Sequence, residues 1–391
     1  MYKRRMALLL LISSISIVFC FCHSTTDSSK KENIGTQSER GYEIVEVSET
    51  PLYPEQQILL EKHLSICKDE KNEIYKPVVI DVDHEDNIYI YDDADKKIKI
   101  FDYKGRFLRQ FGREGKGPGD FDKVSSLKII NRNHILVFDI GKRQTMIFDP
   151  KGILISEWKW PNNSMNTAIF LITDSYYVSD CLNYGIKSRL YVNKYDFNGK
   201  KISSYGEFTP LPIKIFKEGK IPYPVFIPYS NQSFFAGCSK PQRLFHCLCN
   251  NYIIDIFYKN EQLSKKIIRS NYSRVPFTQQ EKEAYFSQIK KVPYKNYYNL
   301  VKKVKLPKFK SIVKRLLTDD LGYLWVHTNE RKKIEEKFYS GYDIFSPDGV
   351  YEAKVWLDIY PMLIKRKKLY TFEPDKETGE IYVTSYLFKR I

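Results

Sequence analysis

The sequence of 391 residues lacks the patterns that most soluble enzymes advertise. Its 7 cysteines form no C-x-x-C pair, so no zinc ribbon or dithiol redox motif is present. His63, His84, His134, His246 and His327 are scattered, and no two have the spacing of metal ligands on a helix. No G-x-S-x-G elbow occurs, and no cysteine has a catalytic histidine near it in sequence. The glycine-rich stretch 112–119, GREGKGPG, is not a phosphate loop: Lys116 is followed by Gly117 rather than Ser or Thr, and another strand follows instead of a helix. Asp92-Asp93 and Asp319-Asp320 sit at strand–turn positions, where carboxylates cap backbone; a rim Ca²⁺ is the other reading of these pairs. No metal ligand set and no required cofactor are expected.

Aromatic residues are abundant at 15%, with 30 Tyr and 24 Phe, which favours β structure over a helical bundle. Residues 78–121 hold four short apolar runs (78–82, 88–91, 98–101 and 107–111) separated by Asp/Asn/Gly turns. They read as an antiparallel four-stranded meander. The second run and its turn recur at 86–90, 133–137, 174–178, 232–236, 321–326 and 379–383, six copies in all. A second marker, F-D-x-x-G at 101–105, returns at 148–152 and, with Tyr first, at 195–199, so that Asp102, Asp149 and Asp196 stand 47 residues apart. Looser copies lie at 345–349 and 257–261. Asp caps such a turn and Gly supplies its positive φ. Self-similarity with a period in the forties is the signature of blades that bury their faces on one another.

On residues 83–91, 101–105, 112–121 (GREGKGPGDF) and 319–326 (DDLGYLWV), the chain resembles the six-bladed β-propeller lipoproteins of Bacteroidetes-type bacteria, and more distantly the NHL-repeat propellers. The resemblance covers about 41–391 and implies a fold rather than an activity. The expectation is an all-β, six-bladed β-propeller of four-stranded antiparallel blades. Counted from residue 77, the blades fall at 77–121, 122–161, 165–208, 222–270 and 307–357, and a last one begins near Ile359 with room for two strands. Alternation at 42–47 marks 41–48 as the strand that completes this last blade and closes the ring. Residues 51–66 read as a helix or loop outside the ring. One short helical insertion is expected between blades four and five, within 271–306, where Thr278 and Glu281 form a capping-box pattern and Pro293 ends the helix.

Residues 1–22 have a basic start and an apolar run from Met6 to Phe19, which is short for a membrane span and has the length of a secretory h-region. Cys20 or Cys22 at its end, followed by the polar stretch 23–40, resembles a lipoprotein signal with a disordered tether. Loss of Lys3, Arg4 and Arg5 with the leader would lower the net charge from +16 to about +13. These features imply a lipid-anchored protein of the Gram-negative outer membrane, facing the periplasm or the outside. The remaining cysteines are Cys67, Cys181, Cys238, Cys247 and Cys249; Cys247 or Cys249 could pair with Cys238, and small buried thiols are the alternative.

The candidate binding residues lie in the insertion, where lysines interleave with tyrosines: Lys290, Lys291, Tyr294, Lys295, Tyr297, Tyr298, Lys302, Lys303 and Lys305. Such a stretch suits an anionic glycan or an outer-membrane or periplasmic protein, and export points away from nucleic acid. Trp158 and Trp160 share a strand face, while Trp325 reads as core. His134 and His327 could face the central channel or a rim. The expected function is a monomeric binding scaffold of the cell envelope without catalysis; the alternative is a metal-dependent propeller lyase or hydrolase working in the channel.

Overall fold

A computed structural model describes residues 36–39, 41–54, 58–66, 74–130, 133–184, 188–218, 221–292, 297–375 and 377–390. The leader, Cys20, Cys22, most of the tether and Cys67 lie outside the described residues. Six antiparallel sheets follow one another around a ring. Numbered from the N-terminal strand that closes the ring, blade one joins Ile58–Ile66 to Leu363–Lys365, Lys368–Pro374 and Ile381–Arg390. Blade two spans Pro77–Val82 to Phe107–Phe111 and blade three Val124–Ile129 to Leu154–Lys159. Blade four runs from Ile169–Ile172 to Lys201–Phe208, with the short strand Ser164–Met165 beside it. Blades five and six cover Ser233–Ser239 to Leu263–Ile268 and Val313–Thr318 to Tyr351–Leu357. The first strand of each of blades two to six lies innermost; in blade one that place belongs to Leu363–Lys365.

Each seam between blades holds its own apolar core, because a strand alternating apolar residues on both faces cannot cover either alone. Ile98, Ile100 and Phe121 meet Val137 and Phe148 between blades two and three, and Trp325 and Ile344 meet Ile364 and Leu369 between blades six and one. On the inner side each seam is also stapled by a polar contact. Ile129 N donates to Asp81 at 2.8 Å, Ile169 N to Ser126 Oγ at 3.2 Å and Ile172 N to Ser239 Oγ at 3.4 Å. Thr318 Oγ1 donates to Gly237 O at 2.6 Å, Arg315 Nη1 to Pro361 O at 2.8 Å, and Lys365 Nζ lies 3.1 Å from Asp81. The ring is closed.

The turn chemistry read from the repeats is the chemistry observed. Asp102, Asp149, Asp196 and Asp319 each accept, through Oδ1, the backbone N–H groups two and four residues on. Gly199 shows why these turns end in glycine: its φ is +80°, and a Cβ there would stand 2.2 Å from the Trp158 indole of the preceding blade. The loop 112–119 is a connection between blades two and three, in which the Asp120 carboxylate accepts from Arg113 Nε at 2.7 Å and from Gly117 N at 2.9 Å.

Several expectations are corrected. The ring is closed by Ile58–Ile66, the outer strand of blade one, paired antiparallel to Ile381–Arg390. The expected closing strand, 41–48, instead lies parallel to Leu263–Ile268 on the outer edge of blade five, with Thr36–Glu39 beyond it. From there the chain bonds Leu52 N to Tyr351 O and Tyr53 N to Glu352 O on blade six before it reaches blade one. Three blade edges are thereby covered by one N-terminal segment. The C-terminal part supplies three strands to blade one, not two, because Arg366 and Lys367 (φ 54° and 57°) make a two-residue hairpin turn without the usual Asn or Gly. Because blade one takes its outer strand from the N-terminal end, the helical insertion falls between blades five and six rather than four and five. Marker copies 232–236 and 379–383 fall on the innermost strand of blade five and the third strand of blade one, not on second strands. Cys181, Cys238, Cys247 and Cys249 are free thiols, and burial pushes those of Cys247 and Cys249 up.

Candidate functional site

The helical insertion is part of a small second core. The helix Gln279–Lys290 starts at the capping box read from the sequence: Glu281 N donates to Thr278 Oγ1 at 3.3 Å and Thr278 N to Glu281 Oε2 at 3.1 Å. A second helix, Tyr297–Lys302, packs against it, and both pack on the hairpin Ile213–Glu218/Ile221–Phe226 that leaves the chain between blades four and five. Tyr285, Ile289, Tyr297, Val301 and Val304 fill the space with Val225, and Tyr285 OH donates to Phe226 O at 3.0 Å. Phe277 N to Lys308 O and Lys310 N to Val275 O, at 2.9 and 2.8 Å, tie the base of the insertion together. This cap is a built unit flanking blade five, whose hairpin half carries no recognisable repeat.

The lysines of the insertion divide from its tyrosines. Lys290, Lys291, Lys302, Lys303 and Lys305 are exposed, whereas Tyr297 is buried in the cap core. Tyr297 is therefore a packing residue, since its helix can bury an apolar stripe only by turning it inward. Tyr298 is half-buried at the surface, with Lys290 Nζ 5.2 Å and Lys302 Nζ 4.8 Å from its ring centroid. Tyr294 and Lys295 lie outside the described residues. The cap thus exposes five lysines, two of which lie at one aromatic ring.

The central channel holds a cavity of about 200 Å³, which opens between the inner strands of blades two, three and six and the start of blade one, with Lys128, Arg315 and Ser125 on its wall. Next to it Asp81 accepts from Ile129 N and pairs with Lys365. Burial opposes the Asp81 charge, but Lys365, Lys128 and the Ile129 N–H hold its carboxyl below the ordinary range. Burial, with help from Lys365 and Arg315, pushes the Lys128 ammonium down.

The remaining sequence candidates lie elsewhere in the blades. His327 is fully buried in blade six rather than at a rim: it stacks on Tyr342 with centroids 4.5 Å apart, and Lys314 Nζ lies 3.2 Å from Nε2. His134 lies in the turn before the second strand of blade three. Trp160 is buried and donates to Thr145 Oγ1 at 2.8 Å, and Trp325 is core. Asp92 pairs with buried Lys99 at 2.8 Å and Asp93 with Lys76 and Lys96, so these carboxylates are taken up by protein cations. The buried cluster that the sequence hid is Arg269–Asp343, at 2.6 Å, joined by the hydroxyls of Tyr252 (2.6 Å) and Tyr351 (2.8 Å) between blades five and six.

Residues 38–218 match the family model DUF5128, six-bladed β-propeller. The chain is a six-bladed β-propeller. No curated protein matches this propeller in sequence. Among solved structures it is similar to a DUF4221-family protein of Bacteroides vulgatus, at 12% identity and TM-score 0.54, over 85% of this chain and 98% of that one. A Bacteroides fragilis protein described as exported is similar at 13% identity and TM-score 0.50, over 88% and 99% of the two chains. At such identities the propeller fold is what the likeness carries.

Proposed function

We propose that this propeller is a binding scaffold of the cell envelope that holds an anionic glycan on the basic face of its cap. The observation that carries the reading is the cap's construction: an insertion with a core of its own leaves five lysines exposed, two of them, Lys290 and Lys302, at the Tyr298 ring. Two ammonium groups gathered over a tyrosine ring offer counter-charges for the acidic groups of a sugar. The location is supported by the leader pattern of residues 1–22, with Cys20 or Cys22 as the lipidated residue, and by the exported description of the Bacteroides fragilis neighbour. The metal-dependent alternative is disfavoured by charge, since Lys128, Arg315 and Lys365 at the channel repel a divalent cation.

The test is binding of the purified chain to immobilised polygalacturonate and to neutral dextran. The acidic polymer should be preferred, and the preference should weaken as salt rises from about 50 to 200 mM, where screening shortens to about a nanometre or less. The quadruple variant K290E/K291E/K302E/K303E should lose it with an unchanged melting temperature, these side chains being exposed. Equal binding to both polymers would overturn the reading.

A further inference from the structure

Among the described residues, the wall of the channel cavity carries two cations, Lys128 and Arg315, and no carboxylate. Two cations, Lys365 and Lys128, act on the one carboxylate beside the cavity, Asp81, and a third, Arg315, shares the cavity wall with Lys128. That carboxylate is already committed: it accepts from Ile129 N at 2.8 Å and from Lys365 Nζ at 3.1 Å. Arg315 spends its two Nη groups on main-chain carbonyls, Pro361 O at 2.8 Å and Met362 O at 3.2 Å, which fix its direction without neutralising its charge. Lys128, reaching from the inner strand of blade three, pairs with no carboxylate among the described residues and borders the cavity.

A cation enclosed by protein and left unpaired is costly, and its neighbours of like sign make it more so. Packing alone does not demand Lys128: its neighbours on the same cavity wall are Leu127, Val79 and Met362, so an apolar side chain would suit the lining. The serines Ser125 and Ser126 add hydroxyls to the wall. Two ammonium or guanidinium groups, hydroxyls and an apolar remainder are what a small anion with a carbon skeleton needs.

We propose that the channel is a binding site for a small organic or inorganic anion, its carboxylate or phosphate group held between Lys128 and Arg315. A cavity of about 200 Å³ admits one acidic group and a few carbon atoms, not a polymer. This site is separate from the cap and does not depend on what the cap binds.

The test uses the purified chain with inorganic phosphate and with malonate as probes, against sodium chloride at matched ionic strength. Phosphate, malonate or both should raise the melting temperature saturably. A response to phosphate alone assigns a phosphate ligand, and one to malonate a carboxylate. K128M should weaken that binding at least tenfold, and K128R should restore most of it. The cap variant K290E/K291E/K302E/K303E should respond to the probes as the parent does. Acetylation of Lys128, read by mass spectrometry, should be slowed by the bound anion. No saturable shift beyond chloride with either probe, or a shift that K128M retains in full, would overturn the proposal.

Discussion

Replacing Asp343 by Asn should unlock the seam between blades five and six. The carboxylate is fully buried and accepts three short hydrogen bonds, from Arg269 Nη1, Tyr252 OH and Tyr351 OH. Burial pushes its pKa up from the usual carboxylate range, and the Arg269 charge and the two phenols limit that rise. The Arg269 guanidinium has other work as well: it lies 4.9 Å from the Tyr351 ring centroid, and its Nη2 donates to Glu49 O of the N-terminal segment. An amide at 343 keeps the shape but leaves the guanidinium buried without a counter-ion. Breaking one partner of such a pair costs about 3–5 kcal/mol. For a ring of about 350 residues, with an unfolding entropy of roughly 0.7 kcal/mol/K, that is a fall in melting temperature of about 4–7 °C. The assay is urea unfolding followed by tryptophan fluorescence, with D343N, R269Q and the double variant forming a cycle. The double variant should cost less than the sum of the two by about 2 kcal/mol, the coupling expected of groups in direct contact. A loss below about 1 kcal/mol for D343N, or simple additivity, would show that the cluster does not hold the seam.

Two further predictions follow from the closure and from the buried histidine. A chain beginning at residue 49 loses only edge strands and should still fold, whereas one beginning at residue 74 also loses Ile58–Ile66, with Leu60, Leu64 and Ile66 in the seams on either side of blade one. At about 1.5–3 kcal/mol for each buried side chain, the second truncation should be unfolded or melt far lower, by circular dichroism; equal melting of the two would refute closure by this strand. Burial first, then Lys314, Arg315 and Arg331, hold the His327 pKa well below its ordinary 6.5. Below that pH the unfolded chain binds a proton that the folded one refuses, so stability falls as pH drops from about 6.5. H327Q should flatten this dependence by up to about 1.4 kcal/mol per pH unit, and parallel stability curves for parent and variant between pH 7 and 5 would sink the assignment.

Sequence alone determined whatever depends on neighbours a few residues away. The Asp–x–x–Gly turns, the capping box at Thr278–Glu281, the structural role of loop 112–119 and the count of six blades were legible because each is a local hydrogen bond, a positive φ or a period. Tertiary structure decided what links residues far apart. Which N-terminal strand completes blade one depends on pairing 58–66 with 381–390, and alternation at 42–47 satisfied the local rule equally well. The hairpin 213–226 joins the helices through tertiary packing and the Tyr285–Phe226 hydrogen bond, and that packing turned Tyr297 inward while leaving Lys302 of its helix exposed. Arg269 with Asp343, and Lys128 with Arg315, carry no motif because the charges meet across seams and across the channel. A strand's own pattern records that it is covered on a face, but not by which partner, since burial of apolar area is non-directional.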